Sequence, residues 1–129
     1  MGLIARILPS RRRGEQGEEA AARFLKTRGF RVLERNWRYR QWELDLICRD
    51  RDTLVFVEVK TRAATTMGSP ADGLGRRKRE RLVKAASRYL STKNLWDMPC
   101  RFDFVAVVDR EGSLEVEHVE NAFDLTGME

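Results

Sequence analysis

A carboxylate and an ammonium two residues apart interrupt an apolar stretch and are the first candidates for chemistry. Glu58 and Lys60 lie near the end of residues 53–61, which are rich in Val and Phe. Such a run predicts a β-strand, whose side chains alternate between faces, so Glu58 and Lys60 should share one face. Burying either charge alone is costly, so this strand end requires a partner, a metal ion or a solvent-filled cleft.

The preceding strand is predicted to bring a second carboxylate to the same face. Residues 42–48 alternate apolar and polar side chains, and the few polar residues after them predict an antiparallel hairpin. If Arg49 pairs with Leu54, Asp45 lies opposite Glu58. Directly opposite residues share a face, so this register collects the acidic side chains into one patch.

These residue types favour metal-assisted phosphodiester hydrolysis. Neighbouring carboxylates repel one another and are readily held together by a divalent cation, and oxygen ligands select Mg²⁺ or Mn²⁺ rather than zinc. Asp45 and Glu58 are the predicted ligands. Lys60 would orient the attacking water or stabilise charge on the transition state. The same register sets Glu43 opposite Lys60, where an ion pair to Lys60 or to an arginine competes with a metal role.

The surrounding elements predict an α/β fold in which helices flank a mixed sheet. The element order α-β-β-β-α-β-β combines a hairpin with a helical crossover that makes the strand ending at Lys60 parallel to the one starting at Arg101. Besides the two strands above, the predicted elements are helices over 14–28 and 76–90, strands over 30–35, 101–108 and 114–119, a connection over 36–41 and a long, mobile loop over 62–75.

Basic residues are predicted to hold the backbone of a nucleic acid. The second helix is dominated by Arg and Lys, and the connection after the first strand alternates arginine with aromatic residues. The candidate backbone contacts are Arg38, Arg40, Arg62, Arg77, Lys78 and Arg81. The candidate surfaces for base stacking are Trp37, Tyr39 and Trp42.

Length and charge fit a single domain with a polyanionic partner. The chain has 129 residues, 42% of them hydrophobic, with a net charge of +5. We expect an N-terminal segment over 1–13 and one domain over 14–129. No secretory or membrane-spanning pattern precedes it, which predicts a cytoplasmic protein without a membrane partner. Cys48 and Cys100 have no metal-ligand spacing and are predicted to be buried free thiols.

Asp45 followed by Glu58-Val59-Lys60 resembles the PD-(D/E)XK signature of restriction-endonuclease-like nucleases. The wider pattern resembles the YraN-like family of small uncharacterised bacterial proteins assigned to that superfamily. The residues that carry the wider resemblance are Gly17-Glu18, Ala21, Leu25, Asn36-Trp37-Arg38, Glu43 to Ile47, Leu54 to Arg62, Lys78, Arg81-Leu82, Tyr89-Leu90 and Arg101 to Asp103.

The resemblance implies a restriction-endonuclease-like core and an Mg²⁺- or Mn²⁺-dependent nuclease acting on DNA, including branched or damaged DNA. It implies that Asp45 and Glu58 bind the metal with the Val59 carbonyl, that Lys60 is the catalytic lysine, and that Glu18 on the first helix joins the site. Nucleases of this class often cut two strands as a pair, so a homodimer is compatible with the resemblance.

Simpler interpretations compete with each of these assignments. The acidic patch with Lys60 also fits a cross-strand ion-pair cluster on a solvated sheet face, and Glu18 fits a helix start, where the dipole favours anions. The basic helix also fits a solvated surface. At the level of the protein, the alternatives are a nucleic-acid-binding module without catalysis and a protein-binding scaffold. His118 is assigned no catalytic role.

Overall fold

The computed structural model describes residues 10–64 and 74–124, with side chains described from residue 14 onward. The element order and the mixed five-stranded sheet confirm the predicted α/β fold class. No helix in these ranges combines the length and apolar character needed to cross a membrane. The elements are α1 (Ser10–Thr27), β1 (Arg31–Tyr39), β2 (Trp42–Asp50), β3 (Thr53–Ala63), α2 (Arg76–Lys93), β4 (Cys100–Arg110) and β5 (Ser113–Phe123).

The strands lie in the sheet in chain order, β1 to β5. Neighbours are antiparallel except β3 and β4, which are parallel and joined through α2, as the crossover predicts. The predicted pairing of Arg49 with Leu54 is confirmed, and Asp50 pairs with Thr53 around a two-residue turn. Arg51 in that turn has a φ of 56°, the left-handed conformation typical of tight hairpin turns.

Each helix covers one face of the sheet. The apolar stripe of α2 repeats at helical spacing through Leu82, Ala86 and Tyr89 and packs on a core that includes Leu54 and Phe56. The apolar stripe of α1 packs on the other face of the sheet, in a second core that includes the valines of β3. These valines alternate along the strand with Leu54 and Phe56. Because β3 is buried on both faces, a charged side chain at its end lies beside two hydrophobic cores.

Several predicted boundaries are too short or wrong. The predicted connection over 36–41 is wrong, since β1 continues to Tyr39, which pairs with Trp42, and only Arg40 and Gln41 form the turn. Polar residues on an edge strand resemble a loop in sequence because one side of the strand faces solvent. Both helices extend beyond the predicted range, and β5 continues to Phe123, whose ring stacks on Phe102 at 4.7 Å.

The predicted alternation along β2 is wrong at Asp45. Leu44 packs in the core under α2, whereas Leu46 packs in the core under α1, so two residues expected to share a face lie on opposite faces. In β1, Asn36 lies between the partners of Leu46 and Leu44 and has a φ of 50°, in the left-handed region. Strict alternation does not anticipate such an irregular backbone conformation in the strand next to Asp45.

Two further expectations change. The predicted loop over 62–75 begins later, because Arg62 and Ala63 belong to β3, and residues 65–73 lie outside the described ranges. Most of the expected N-terminal segment over 1–13 also lies outside them. Cys48 is buried as predicted, but Cys100 is exposed because it stands at the first residue of β4.

A buried charge network ties β4 to β5. Asp103 is 2% exposed, and its carboxylate contacts Arg101 at 3.0 Å, His118 Nε2 at 2.8 Å and the Asn121 N–H at 3.1 Å. Burial alone would raise the pKa of Asp103, but these hydrogen bonds outweigh it and hold the pKa below its usual value. His118 therefore has a structural partner in this network.

Asp103→Asn is expected to lower the free energy of unfolding by about 3 kcal/mol, because it breaks a buried pair and leaves Arg101 without its closest anion. Because the pKa of Asp103 is lower in the folded protein than in the unfolded chain, Asp103 stabilises the fold at pH values above its unfolded pKa of 3.8. This stabilisation is lost as the pH falls through the folded pKa. Urea unfolding should therefore show a large difference at pH 7 that shrinks below about pH 4. The exposed Asp97→Asn is the control, and an equal loss there would contradict the network's role.

Candidate metal site and nucleic-acid surface

The carboxylates of Asp45 and Glu58 lie together where β2 and β3 stop pairing. The ladder between the strands ends at Leu46 and Val57. Beyond it, the Val59 N–H donates to Asp45 Oδ2 at 2.9 Å, which brings Asp45 beside Glu58, the residue before Val59, so that the two charges interact. The structure thus brings together the two predicted metal ligands, one from each strand of the hairpin.

Burial and the neighbouring carboxylate make Glu58 a weaker acid than an exposed glutamate. Glu58 is 8% exposed. Desolvation raises its pKa from 4.5, and the charge and hydrogen bond of Asp45 raise it further, to about 8. The pair therefore keeps a proton near neutral pH unless a cation neutralises both carboxylates.

Lys78 of α2 is the cation that accompanies this pair. Its Nζ lies 2.7 Å from Glu58 Oε2, and its side chain is 44% exposed. Burial would lower the pKa of Lys78, but the contacts with Glu58 and the charges of Asp45 and Glu43 outweigh it and raise the pKa. We expected Lys78 on a nucleic-acid backbone, and the structure places it against Glu58. No local pattern reveals this contact, because α2 meets β3 only on folding.

Glu18 of α1 lies close enough to Asp45 to respond to its charge. Burial raises the pKa of Glu18, Asp45 raises it further, and a hydrogen bond with the Asn36 side chain lowers it in part. Asn36 belongs to the predicted connection and to the family resemblance but was assigned no role in the site, and its left-handed backbone is one that Asn tolerates. A cavity of about 270 Å³ adjoins these groups and is lined by Gly14, Glu15, Glu18, Asn36, Arg38 and Glu43.

Gly17 allows α1 to lie close to β3 beside the site. A Cβ at Gly17 would lie 1.8 Å from Thr61 Oγ1, whereas a Cβ at Gly14 would meet no other element within 4 Å among the described residues. Glu18 follows Gly17 directly, so this close approach sets the distance between Glu18 and the strand that carries Glu58.

Lys60 and Glu43, the two remaining candidate residues on the strands, do not pair with each other. Lys60 is exposed and follows Glu58 on β3, and within residues 10–64 and 74–124 it forms no ion pair. Glu43 does not pair with it, because the β2–β3 ladder ends earlier. Instead Glu43 Oε1 lies 3.7 Å from an Arg38 guanidinium nitrogen, so the arginine alternative applies.

The predicted backbone contacts fall in three places. Arg38 and Arg40 lie at the end of β1 and in its turn, and Arg62 lies half-buried near the end of β3. Arg77 and Arg81 are exposed on α2, near the Lys78–Glu58 contact. The structure therefore distributes these cations around the carboxylates and along α2.

The three candidate aromatic side chains have different environments. Trp37 packs edge-on against Tyr89, with ring centroids 5.3 Å apart, and belongs to the core under α2. Tyr39 is covered by the Arg88 guanidinium at 3.9 Å from the ring centroid. Trp42 is half-buried and lines an open groove. Only the last two remain candidates for contact with a ligand.

Fold and site together define a small α/β domain with a carboxylate pair, of which Glu58 is buried, at the point where a central hairpin opens. Residues 17–107 match the model of a family described as "Uncharacterised protein family UPF0102". The chain belongs to this family, which confirms the YraN-like resemblance at the level of the family.

Relatives of similar length share the match. A UPF0102 protein of Nitratidesulfovibrio vulgaris is 50% identical over 113 residues, which cover 88% of this chain and 84% of the relative. A UPF0102 protein of Lawsonia intracellularis is 48% identical, covering 86% and 84%. A UPF0102 protein of Myxococcus xanthus is 44% identical over 123 residues, covering 94% and 98%.

Proposed function

We propose that this protein is a divalent-metal-dependent nuclease of the PD-(D/E)XK type that hydrolyses phosphodiester bonds of DNA, with branched or damaged DNA as its substrate. The observation that carries the proposal is that Asp45 accepts a hydrogen bond from the Val59 N–H directly beside Glu58, a carboxyl group that is only 8% exposed and that Lys78 contacts at 2.7 Å. An arrangement this costly in free energy is typical of functional sites. The spacing of Asp45 and Glu58-Val59-Lys60 supports the same class.

The donor atoms fit Mg²⁺ or Mn²⁺. Two carboxylates supply hard oxygen ligands, and a cation would remove the repulsion that raises the pKa of Glu58. Within residues 10–64 and 74–124, no three His, Cys, Asp or Glu side chains form a group that could hold a metal ion. The ligands would therefore be Asp45, Glu58, the Val59 carbonyl and water, which suits Mg²⁺ because it retains several waters.

A bound cation would polarise a phosphoryl oxygen and acidify a water molecule. The chain's own groups supply the rest of the chemistry. Lys60, exposed beside Glu58, offers a positive charge for the scissile phosphate. Lys78 neutralises part of the charge on Glu58 and is 44% exposed, so its ammonium can turn towards a phosphate once a cation replaces it. Glu18, hydrogen-bonded to Asn36, orients water at the edge of the pair.

Asp45→Asn tests the proposal in a cleavage assay. Wild type and variant are incubated with single-stranded, duplex, flap and four-way-junction DNA, with Mg²⁺, Mn²⁺ or EDTA. Removing a residue that hydrogen-bonds to a metal ligand typically lowers metal affinity or activity about 10- to 100-fold. Removing a ligand itself should therefore lower the cleavage rate more than about 100-fold. DNA binding in EDTA should persist, because Asp45 carries no positive charge towards the backbone.

Asp52→Asn is the matched control, because it removes an exposed carboxylate from the turn of the same hairpin. It should cleave like wild type. Full cleavage by purified Asp45→Asn would overturn the mechanism. DNA binding without cleavage of any substrate by wild type would instead identify a non-catalytic binding module.

A further inference from the structure

Four exposed cations form a row along one side of α2. Arg77, Arg81, Lys84 and Arg88 are three or four residues apart, a spacing that places side chains on the same side of a helix. The row covers about 16 Å at 1.5 Å per residue. It begins beside Lys78, which contacts Glu58, and ends beside β1 at Tyr39. We call these four residues the α2 cation row.

Nearby carboxylates are engaged elsewhere. Glu80 pairs with Arg76 at 3.0 Å, and Glu34 accepts a hydrogen bond from the Tyr89 hydroxyl at 2.7 Å. In the described part of the chain, no ion pair reaches any member of the α2 cation row. Four like charges without anions repel one another, and a polyanion would remove that repulsion.

Aromatic side chains accompany the far end of the row. Lys84 Nζ lies 5.7 Å from the Trp42 ring centroid. The Arg88 guanidinium lies over the Tyr39 ring and donates a hydrogen bond to its hydroxyl, which holds the charge in a fixed position. An open groove of about 340 Å³ runs between these groups and is lined by Trp42, Lys84, Ser87, Arg88 and Ser91. We call it the Trp42 groove.

We propose that the Trp42 groove binds an unpaired base of a single-stranded nucleic-acid segment whose phosphates lie along the α2 cation row. Single-strand binding does not depend on nuclease activity. The inference rests on the proposed function only in placing the scissile bond near Glu58. The expected substrate is therefore a nucleic acid with a single-stranded segment next to the bond that is cleaved.

The chemistry of the groove distinguishes a single strand from a duplex. A base inside a duplex has no free face, whereas an unpaired base can stack on an aromatic ring beside cations that hold the neighbouring phosphates. Ser87 and Ser91 add hydroxyl groups that hydrogen-bond to base edges or phosphate oxygens. The groove thus combines stacking, charge and polar contacts, the combination by which single strands are bound without a long sequence requirement.

The test measures binding in EDTA, so it does not depend on cleavage. Fluorescent twelve-nucleotide single strands of DNA and of RNA, a blunt duplex and an abasic strand of equal length are titrated at several salt concentrations. Lys84→Gln with Arg88→Gln should weaken single-strand binding at least about tenfold and reduce the salt slope by about 1.4, since each neutralised phosphate contributes about 0.7 for single strands.

Trp42→Leu should weaken binding of the normal single strand between about 5- and 160-fold, the range for loss of one stacked base. Binding of the abasic strand and the duplex should change little. Because Trp42 also contacts the core under α2, Ser91→Glu is a second variant that leaves the core intact. Its carboxylate in the groove should weaken single-strand binding by repelling phosphate.

Lys26→Gln with Arg28→Gln is the matched control. It removes two cations from the end of α1, and Arg28 also lies over an aromatic ring, that of Phe24 at 5.7 Å. An unchanged salt slope in this control supports the proposal. The proposal is wrong if the control weakens binding equally, if the abasic strand binds wild type as tightly as the normal strand, or if Ser91→Glu and Trp42→Leu bind like wild type. Loss of cleavage with single-strand binding intact would affect only the proposed nuclease.

Discussion

Glu58→Gln is expected to abolish Mg²⁺-dependent cleavage while raising the melting temperature of the metal-free protein. The two effects have one cause. Glu58 is buried beside Asp45, and its charged form is stabilised only in part by Lys78. Gln has nearly the same shape and carries no charge, so the metal loses a ligand while the fold loses a source of repulsion.

The sign of the stability effect follows from the direction of the pKa shift. The unfolded chain loses the Glu58 proton near pH 4.5, whereas the folded protein holds it up to about pH 8. Between these values the folded state binds more protons, so the contribution of Glu58 to stability is complete below pH 4.5 and falls as the pH rises to 8. The gain of Glu58→Gln should therefore grow through this window and level off above it.

Thermal unfolding between pH 5 and 9, with and without Mg²⁺, measures the effect. Each 1 kcal/mol corresponds to about 4 °C in a domain of this size. Without metal, the variant should melt above wild type at pH 8, and Mg²⁺ should close the gap by stabilising wild type alone. Glu117→Gln, which removes an exposed carboxylate from β5, should alter neither curve. A variant that melts lower at pH 8 would contradict the burial of an uncompensated charge.

The same titration predicts how metal binds. Both carboxylates must ionise, so Mg²⁺ binding to wild type at pH 7 should release close to one proton per site, measured as a dependence of the binding heat on the buffer. Below about pH 8, affinity should rise about tenfold per pH unit and then level off. Proton release near zero at pH 7 would show that Glu58 is already ionised.

Local patterns were sufficient to predict the hairpin at the centre of the site. A short polar turn between two strands leaves few registers, and the pairing of Arg49 with Leu54 follows from it. The parallel pairing of β3 with β4 follows from the helix between them. Both pairings follow from the order of the elements and the lengths of their connections, which can be read directly from the sequence.

Contacts between distant elements could not be predicted in this way. Lys78 and Glu58 lie on different elements, and their 2.7 Å contact depends on how α2 is placed across the sheet. Alternation along β2 fails at Asp45, where Leu44 and Leu46 pack in different cores opposite Asn36, a β1 residue with a left-handed φ. A positive φ at Asn is common enough to be considered at such a position, but it is not required by the sequence.

Gly17→Ala is expected to reduce both stability and activity, although alanine is ordinarily the better helix residue. Its Cβ would lie 1.8 Å from Thr61 Oγ1, a distance at which atoms overlap, and 3.1 Å from Thr61 Cβ, so the Thr61 side chain must rotate and α1 is expected to shift away from β3. Overpacking of this kind costs about 1–3 kcal/mol. Glu18 is the next residue, so the movement should also separate Glu18 from Asp45 and lower cleavage with Mg²⁺.

Gly14→Ala is the matched control, one turn earlier in the same helix. Among the described residues, no atom of another element lies within 4 Å of the Cβ that it adds, so it should stabilise the protein by about 0.5–1 kcal/mol through helix propensity. Urea unfolding of both variants separates propensity from steric overlap. Equal gains for the two would show that α1 has room to move at Gly17.

Removing the atom that overlaps should rescue Gly17→Ala. Thr61→Ala deletes Oγ1, a buried hydroxyl with no hydrogen-bond partner among the described residues, and leaves the Thr61 Cβ position, 3.1 Å from the added methyl group, as the nearest contact. The remaining contact is tight by only a few tenths of an ångström, so the double variant should recover most of the stability and the cleavage rate. Because neither side chain supplies a metal ligand, joint recovery would establish that the distance between α1 and β3 positions Glu18 at the carboxylate pair. Recovery of stability without recovery of cleavage would contradict the role of the distance between α1 and β3 in positioning Glu18.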